Sequence, residues 1–278
     1  MSGETVDLPM SKQSRRSGLS YSSKIALARL GLVVIVFGFW EFASGNLFSA
    51  FWISKPSLIA VYIWKWVVFG DFFYQLSFTF GSMLAGFMLG TVLGLVAGIV
   101  LSQSQFFSDV LDPFLVAING IPRVALAPLF VVWFGIDMLP KIILVFTLVF
   151  FVIFYNTYAG IKSVDRRFTD LAFVMGASAN EMFRKVVLPA SLPHIFLGIK
   201  LSIPYALIGA IIGEFVASSA GLGWKIQMET SLYNTTGTMA GLVVMMMIVV
   251  AMNSVLAVAE RRLLRWQPRS RFSTNQPQ

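Results

Sequence analysis

The chain has 278 residues, is 57% hydrophobic and only 12% charged, and has a mean hydropathy of +0.78. Soluble domains carry about a quarter charged residues, so this composition excludes an ordinary soluble domain and indicates an integral membrane protein. Cysteine is absent, which excludes disulfides, thiolate metal sites and cysteine nucleophiles.

Residues 1–24 are polar and basic, with Lys12, Arg15, Arg16 and Lys24, and read as a disordered tail rather than a signal peptide. The predicted spans are 26–44, 76–101, 106–135, 139–157, 193–217 and 237–259, each near the ~20 residues that a bilayer requires. Between the first two, Pro56 opens a short amphipathic helix whose Ile59, Tyr62, Ile63 and Trp66 are expected along the membrane interface. Small residues let helices approach closely in lipid, and the second span carries Gly81, Gly86, Gly90, Gly94 and Gly98. The third span is interrupted by Pro113, Gly120, Pro122 and Pro128. The expected units are residues 1–24, a first helix and amphipathic segment at 25–75, a membrane core at 76–260, and a basic tail at 261–278.

Basic residues orient the chain. The N-terminal tail with Arg29, the 158–192 loop and the C-terminal tail hold five Lys or Arg each, against Lys55, Lys65, Lys141 and Lys225 on the other side. The positive-inside bias therefore places both termini and the loop in the cytoplasm. The net charge of +8 sits beside the spans, where topology and lipid headgroups account for it. No nucleic-acid partner is expected.

The loop holds the most informative pattern. Phe168, Leu171, Ala172 and Met175 repeat at the spacing of one apolar helix face. Gly176 then breaks the pattern, and Ala177 follows. Ser178 and Glu181 have the spacing of a capping box. Met182, Phe183, Val186 and Val187 make a second apolar face, closed by Leu188 and Pro189. Two helical pieces outside the bilayer with an uncovered apolar face need a partner.

These residues resemble the cytoplasmic loop of binding-protein-dependent ABC importer permeases, whose pattern is E-A-A, three residues, Gly, nine residues, I-x-L-P. Asp170-Leu171-Ala172 stands for E-A-A, Gly176 falls at the required spacing, and Val186-Val187-Leu188-Pro189 supplies the end. Asp for Glu and Val for Ile are conservative departures; Leu171 is bulkier than alanine. K-P-S near Pro56, the 121–135 stretch, G-E-F-V-A-S-S-A-G-L-G at 213–223 and R-R-L-L-R-W at 261–266 are similar to the nitrate/sulfonate/bicarbonate (taurine) branch.

The resemblance implies an all-α, six-helix, MetI-like type I importer fold in a bacterial inner membrane, its core formed by the last five helices. It also implies a coupling loop at 163–190 that docks a cytoplasmic ATPase dimer, a second permease copy (a homodimer), and a periplasmic or lipid-anchored binding protein. No phosphate-binding loop occurs in this sequence, so ATP and magnesium belong to the partner ATPase. The implied substrate is a small anion such as a sulfonate, taurine or nitrate; thiamine-precursor pyrimidines and aromatic acids are the alternative. An ion-coupled secondary transporter, which would not need the loop, is a rival from another class. A membrane enzyme would need clustered His, Asp or Glu at membrane depth, and the sequence supplies almost none.

Polar groups inside spans mark candidate pathway residues, because lipid exposure is costly for them. Span three offers Asn119 and Arg123; span five offers Lys200, Ser202, Tyr205 and Glu214. The functional expectation is that Arg123 attracts an anion with Glu214 as its partner or as a gate. The competing expectation is that both are structural. His194, beside Pro193, reads as a helix-terminal residue rather than a base.

Overall fold

Glycine spacing sets the centre of the molecule. The structure, a computed structural model, describes residues 21–263, so most of both predicted tails lies outside the described residues. Eleven α-helices follow one another among these residues: α1 (Tyr21–Asn46), α2 (Pro56–Phe69), α3 (Phe72–Ser102), α4 (Gln105–Asn119), α5 (Ala127–Phe134), α6 (Met138–Lys162), α7 (Arg166–Val174), α8 (Ala179–Met182), α9 (Leu188–Val216), α10 (Leu222–Ser231) and α11 (Thr235–Leu263). Five helices are long and apolar enough to cross a membrane, and a bent pair makes the sixth.

Helix α6 lies between α3 and α9. A Cβ added at Gly86 would stand 2.5 Å from Val145 Cβ, one at Gly90 2.8 Å from Val149, one at Gly94 2.8 Å from the Phe150 carbonyl and one at Gly98 2.8 Å from Thr157. Four of the five glycines read from the sequence thus let α3 and α6 touch backbone to side chain. Gly81 meets only the end of Met138, at 3.4 Å. The core continues through Met83, Val149, Ile153, Ala206 and Val244, joining α3, α6, α9 and α11. In lipid such packing, not exclusion from water, holds helices together.

Two expectations change, at α2 and at the start of the fifth span, while the interruption read in the third span is borne out. The α2 face carrying Ile59, Tyr62, Ile63 and Trp66 does not lie along the interface: Ile59 and Trp66 are buried, and Tyr62 and Ile63 pack on the core. The opposite face, with Leu58, Val61, Trp64 and Val68, is the exposed one. α2 is itself apolar, so periodicity alone does not tell its two faces apart.

The third span is not one rod. Residues Phe106–Asn119 and Arg123–Phe134 meet at 72°, because Pro122 lacks a helical donor and disfavours helix at Ile121. A 3-10 turn, Arg123–Leu126, fills the elbow.

The fifth span does not begin anew after Pro189. Helix runs unbroken from Ala179 to Val216, and a π turn at Phe183–Val187 joins α8 to α9. There the Leu188 N–H bonds five residues back to the Phe183 carbonyl. The wider turn makes room for the Pro189 ring, which clashes with the carbonyl four residues earlier in a regular helix.

Candidate functional site

Within the 163–190 loop, the first helix, the Gly176 turn and the capping box are built as the sequence predicts, although the second helix runs on past Pro189. Asp165 caps α7 by accepting from the Arg167 amide at 2.9 Å. At the far end Gly176 takes φ +83, which favours glycine. Its N–H donates to the Phe173 carbonyl, and that of Ala177 to the Ala172 carbonyl, the paired bonds of a Schellman ending. The Ser178–Glu181 capping box is present in both directions, and Lys185 pairs with Glu181 at 2.9 Å.

The turn sets α7 against α8 around a concavity of about 340 Å³, lined by Ala172, Met175, Gly176, Ala177, Met182 and Val186, with Glu181 and Lys185 at its rim. Phe168, Leu171 and Met175 are exposed, as are Phe173 and Val174 at 76% and 83%. Asp170 is exposed beside them, whereas Leu188 and Pro189 are half-buried in the continuing helix.

A second cavity, of about 250 Å³, lies against the elbow of the bent span. Asn119, Arg123, Phe151, Val152, Tyr155, Asn156, Leu201 and Tyr205 line it. The Arg123 guanidinium donates to the Asn119 side chain and stacks 4.2 Å from the Phe151 ring centroid. Three of the four pathway candidates, Asn119, Arg123 and Tyr205, therefore share one cavity.

Glu214 does not join them, and the expected pairing with Arg123 is not found. Its carboxylate is buried at the opposite end of the molecule from the loop. It accepts from Thr79 Oγ1 and from the Gly223 amide, each at 2.7 Å. Thr79 Oγ1 accepts in turn from the Leu222 amide, and Gln75 from Gly221. Gly221, at φ +116, leaves no room for a Cβ, which would lie 2.2 Å from the carboxyl carbon. Lys200 is also accounted for: it pairs with Glu260 on α11.

The Glu214 network seats α10, a helix not foreseen between spans five and six. Its buried Leu222, Ile226 and Glu229 follow i, i+4, i+7 spacing, a signal masked by its mixed polarity. Glu229 accepts from the Tyr62 hydroxyl at 2.7 Å and pairs with Lys225 at 2.9 Å. Burial pushes its carboxyl up, but the bonds from Tyr62 and Lys225 prevail and hold it below the usual range. Asp71 is lowered likewise: bonds from Gln75 and Trp66 outweigh burial.

The cavity at the elbow was not legible in full. Phe151 and Tyr155 are four residues apart on α6 and so share a face. Nothing local to that helix indicates that Arg123 lies over Phe151.

The fold, the bent span and the loop define an inner-membrane transport permease, and sequence comparison agrees. Residues 90–266 match the family described as "Binding-protein-dependent transport system inner membrane component". The chain belongs to this family and is an ABC transporter permease. It is similar to the proteins described as "Putative aliphatic sulfonates transport permease protein SsuC" of Bacillus subtilis and Escherichia coli. The first is 32% identical over 85% of this chain and 86% of that protein; the second is 28% identical over 86% and 90%. It is also similar to the formylaminopyrimidine transport permease protein ThiX of Halalkalibacterium halodurans, 33% identical over 67% of this chain and 76% of that one. Among solved structures, an inward-facing form of the MetNI methionine ABC transporter superposes with a TM-score of 0.62 at 19% identity, covering 70% of this chain and 96% of that one. At that identity the likeness concerns fold alone.

Proposed function

We propose that the chain forms the translocation pathway of an ATP-driven importer for a small organic or inorganic anion, sulfonate-like in chemistry, delivered by a substrate-binding protein. The observation that carries the anion reading is Arg123. It is a half-buried guanidinium at the elbow of a broken span, and among the described residues no carboxylate lies within ion-pair distance of it. A cation within a span that has no carboxylate to pair with faces a cavity or a ligand. The sulfonate-transport relatives support the same substrate class.

The exposed apolar face of α7, with its concavity against α8, is the surface for a cytoplasmic ATPase dimer. ATP and magnesium reside in that partner, and the positive-inside bias puts the loop and both termini on its side of the membrane. Two copies of this chain enclose the pathway. Because α8, the π turn and α9 form one continuous helix, a push on the loop reaches the membrane core as a rigid movement. ATP binding opens the cavity outward, the loaded binding protein releases its ligand, and hydrolysis restores the inward-facing state.

The test is ATPase activity of the purified permease–ATPase complex in proteoliposomes, with the binding protein empty or loaded. A sulfonate-loaded binding protein is expected to raise turnover and drive uptake. Stimulation by a formylaminopyrimidine-loaded protein alone overturns the anion reading in favour of the chemistry named for ThiX. Uptake driven by an ion gradient without the ATPase overturns the importer reading.

A further inference from the structure

Arg123 is held as a charge without a counter-charge. Its polar contacts are the backbone and side-chain carbonyls of Asn119, and its flat face lies on Phe151. Neutral carbonyls and an aromatic face orient a guanidinium but do not neutralise it, so the cavity beside it carries a positive potential.

The second observation is independent of charge. Tyr155, one turn beyond Phe151 on α6, lines the same cavity, and its hydroxyl is buried with no hydrogen-bond partner among the described residues. The neighbouring Tyr158, three residues on, differs: its hydroxyl bonds to Ser108. A buried unpaired hydroxyl carries a desolvation penalty and calls for an explanation in what the group does. Asp112, on α4, sends an opposing charge toward Tyr155 but does not line the cavity. The attractive pole is Arg123.

We propose that the Arg123–Tyr155 cavity is a headgroup site for an oxyanion within the permease itself, an inference that rests on the anion reading above. The guanidinium binds the charge and the Tyr155 hydroxyl donates to one of the anion's oxygens, while Val152 and Leu201 face its carbon chain. Several oxygens on one centre match the bidentate fork of a guanidinium and leave a further acceptor for the hydroxyl, a geometry that a single-atom anion does not offer. The hydroxyl is sealed in the described conformation. It meets the ligand only in a conformation that opens the cavity to it. The ligand therefore binds that conformation more tightly and shifts the population toward it. Selection by the binding protein is thus followed by a second, weaker check inside the membrane.

The experiment is calorimetric titration of ethanesulfonate into the detergent-purified permease–ATPase complex without binding protein. Wild type is expected to bind. Arg123→Gln is expected to weaken binding at least about 10-fold, as befits a lost charge-assisted contact, and Tyr155→Phe about 3- to 10-fold, as befits one net hydrogen bond. Tyr158→Phe removes a hydroxyl already used within the protein and is expected to bind as wild type does. Failure of wild type to bind, equal affinity in wild type and Tyr155→Phe, or an equal loss in both tyrosine variants overturns the site. ATP-driven uptake of ethanesulfonate by the full complex with binding protein separates the two readings. Binding with the predicted ranking but no uptake supports the site and sinks anion import. Uptake with unaltered binding by Tyr155→Phe sinks the site and leaves import standing.

Discussion

Gly86 and Gly31 both sit in membrane helices, and only one of them is under constraint. A methyl at Gly86 collides with Val145 and the Ile142 carbonyl, whereas Gly31 has nothing within 4 Å. Gly86→Ala is therefore expected to cost about 1–3 kcal/mol by overpacking, read as a lower thermal midpoint in detergent. Gly31→Ala is expected to cost nothing; an equal loss in both would show that the close contact at Gly86 is not the cause. Glu214 makes a parallel case among polar groups. Glu214→Ala leaves the Gly223 amide and the Thr79 hydroxyl without their acceptor, at about 1–3 kcal/mol for each buried group left unpaired. Glu214→Gln keeps an acceptor and is expected to lose less. Identical thermal midpoints for the two variants would rule out hydrogen-bond loss as the cause.

The loop and α10 behave as elements, each held by bonds at its ends. Gly176→Pro breaks the turn between α7 and α8, because proline cannot adopt φ +83 and has no N–H to donate to the Phe173 carbonyl. Leu171→Glu places a charge on the exposed apolar face instead. Both variants are expected to insert normally yet lose binding-protein-stimulated ATP hydrolysis; normal stimulation in either sinks the docking assignment. The α10 lock carries a pH dependence. Glu229 and Asp71 have carboxyls held below their ordinary values, so their contribution is present above about pH 4 and is lost as pH falls through the lowered folded values. Protection of α10 amides, measured against intrinsic exchange at each pH, is expected to fall on acidification in wild type. In Glu229→Gln that protection starts lower and changes less; an unchanged acid response in the variant would remove Glu229 from the account.

At the scale of the molecule, α1 stands apart. It is tied to the rest near its C-terminal end, where Trp40 donates to the Ser54 carbonyl, Ser44 to the Ile53 carbonyl and Ser57 to Glu41, while none of its most apolar window is buried. The same substitution should therefore have opposite consequences in two spans. Ile153→Ala on α6, at 0% exposure, is expected to cost about 2–5 kcal/mol; Ile35→Ala on α1, at 68% exposure, almost nothing. Thermal unfolding of the purified chain decides this, and a large loss at Ile35 would mean that α1 packs on protein rather than on lipid.

The sequence by itself determined what local chemistry dictates. Apolar runs of bilayer length, the glycine row on α3, the prolines of the broken span, the positive-φ turn at Gly176 and the Ser178–Glu181 box each depend on residues a few positions apart, so each was legible. Family membership was legible for the same reason, since the loop pattern is a short run at fixed spacing. Only the tertiary structure decided which polar groups meet. Glu214 was separated from Arg123 and joined to Thr79, 135 residues away; Phe151 was brought under Arg123, with Tyr155 in the same cavity wall; and α2 turned its expected interfacial face onto the core. Periodicity specifies that a helix has faces, but which face finds a partner depends on shape and hydrogen bonding between distant segments, and no local pattern carries that information.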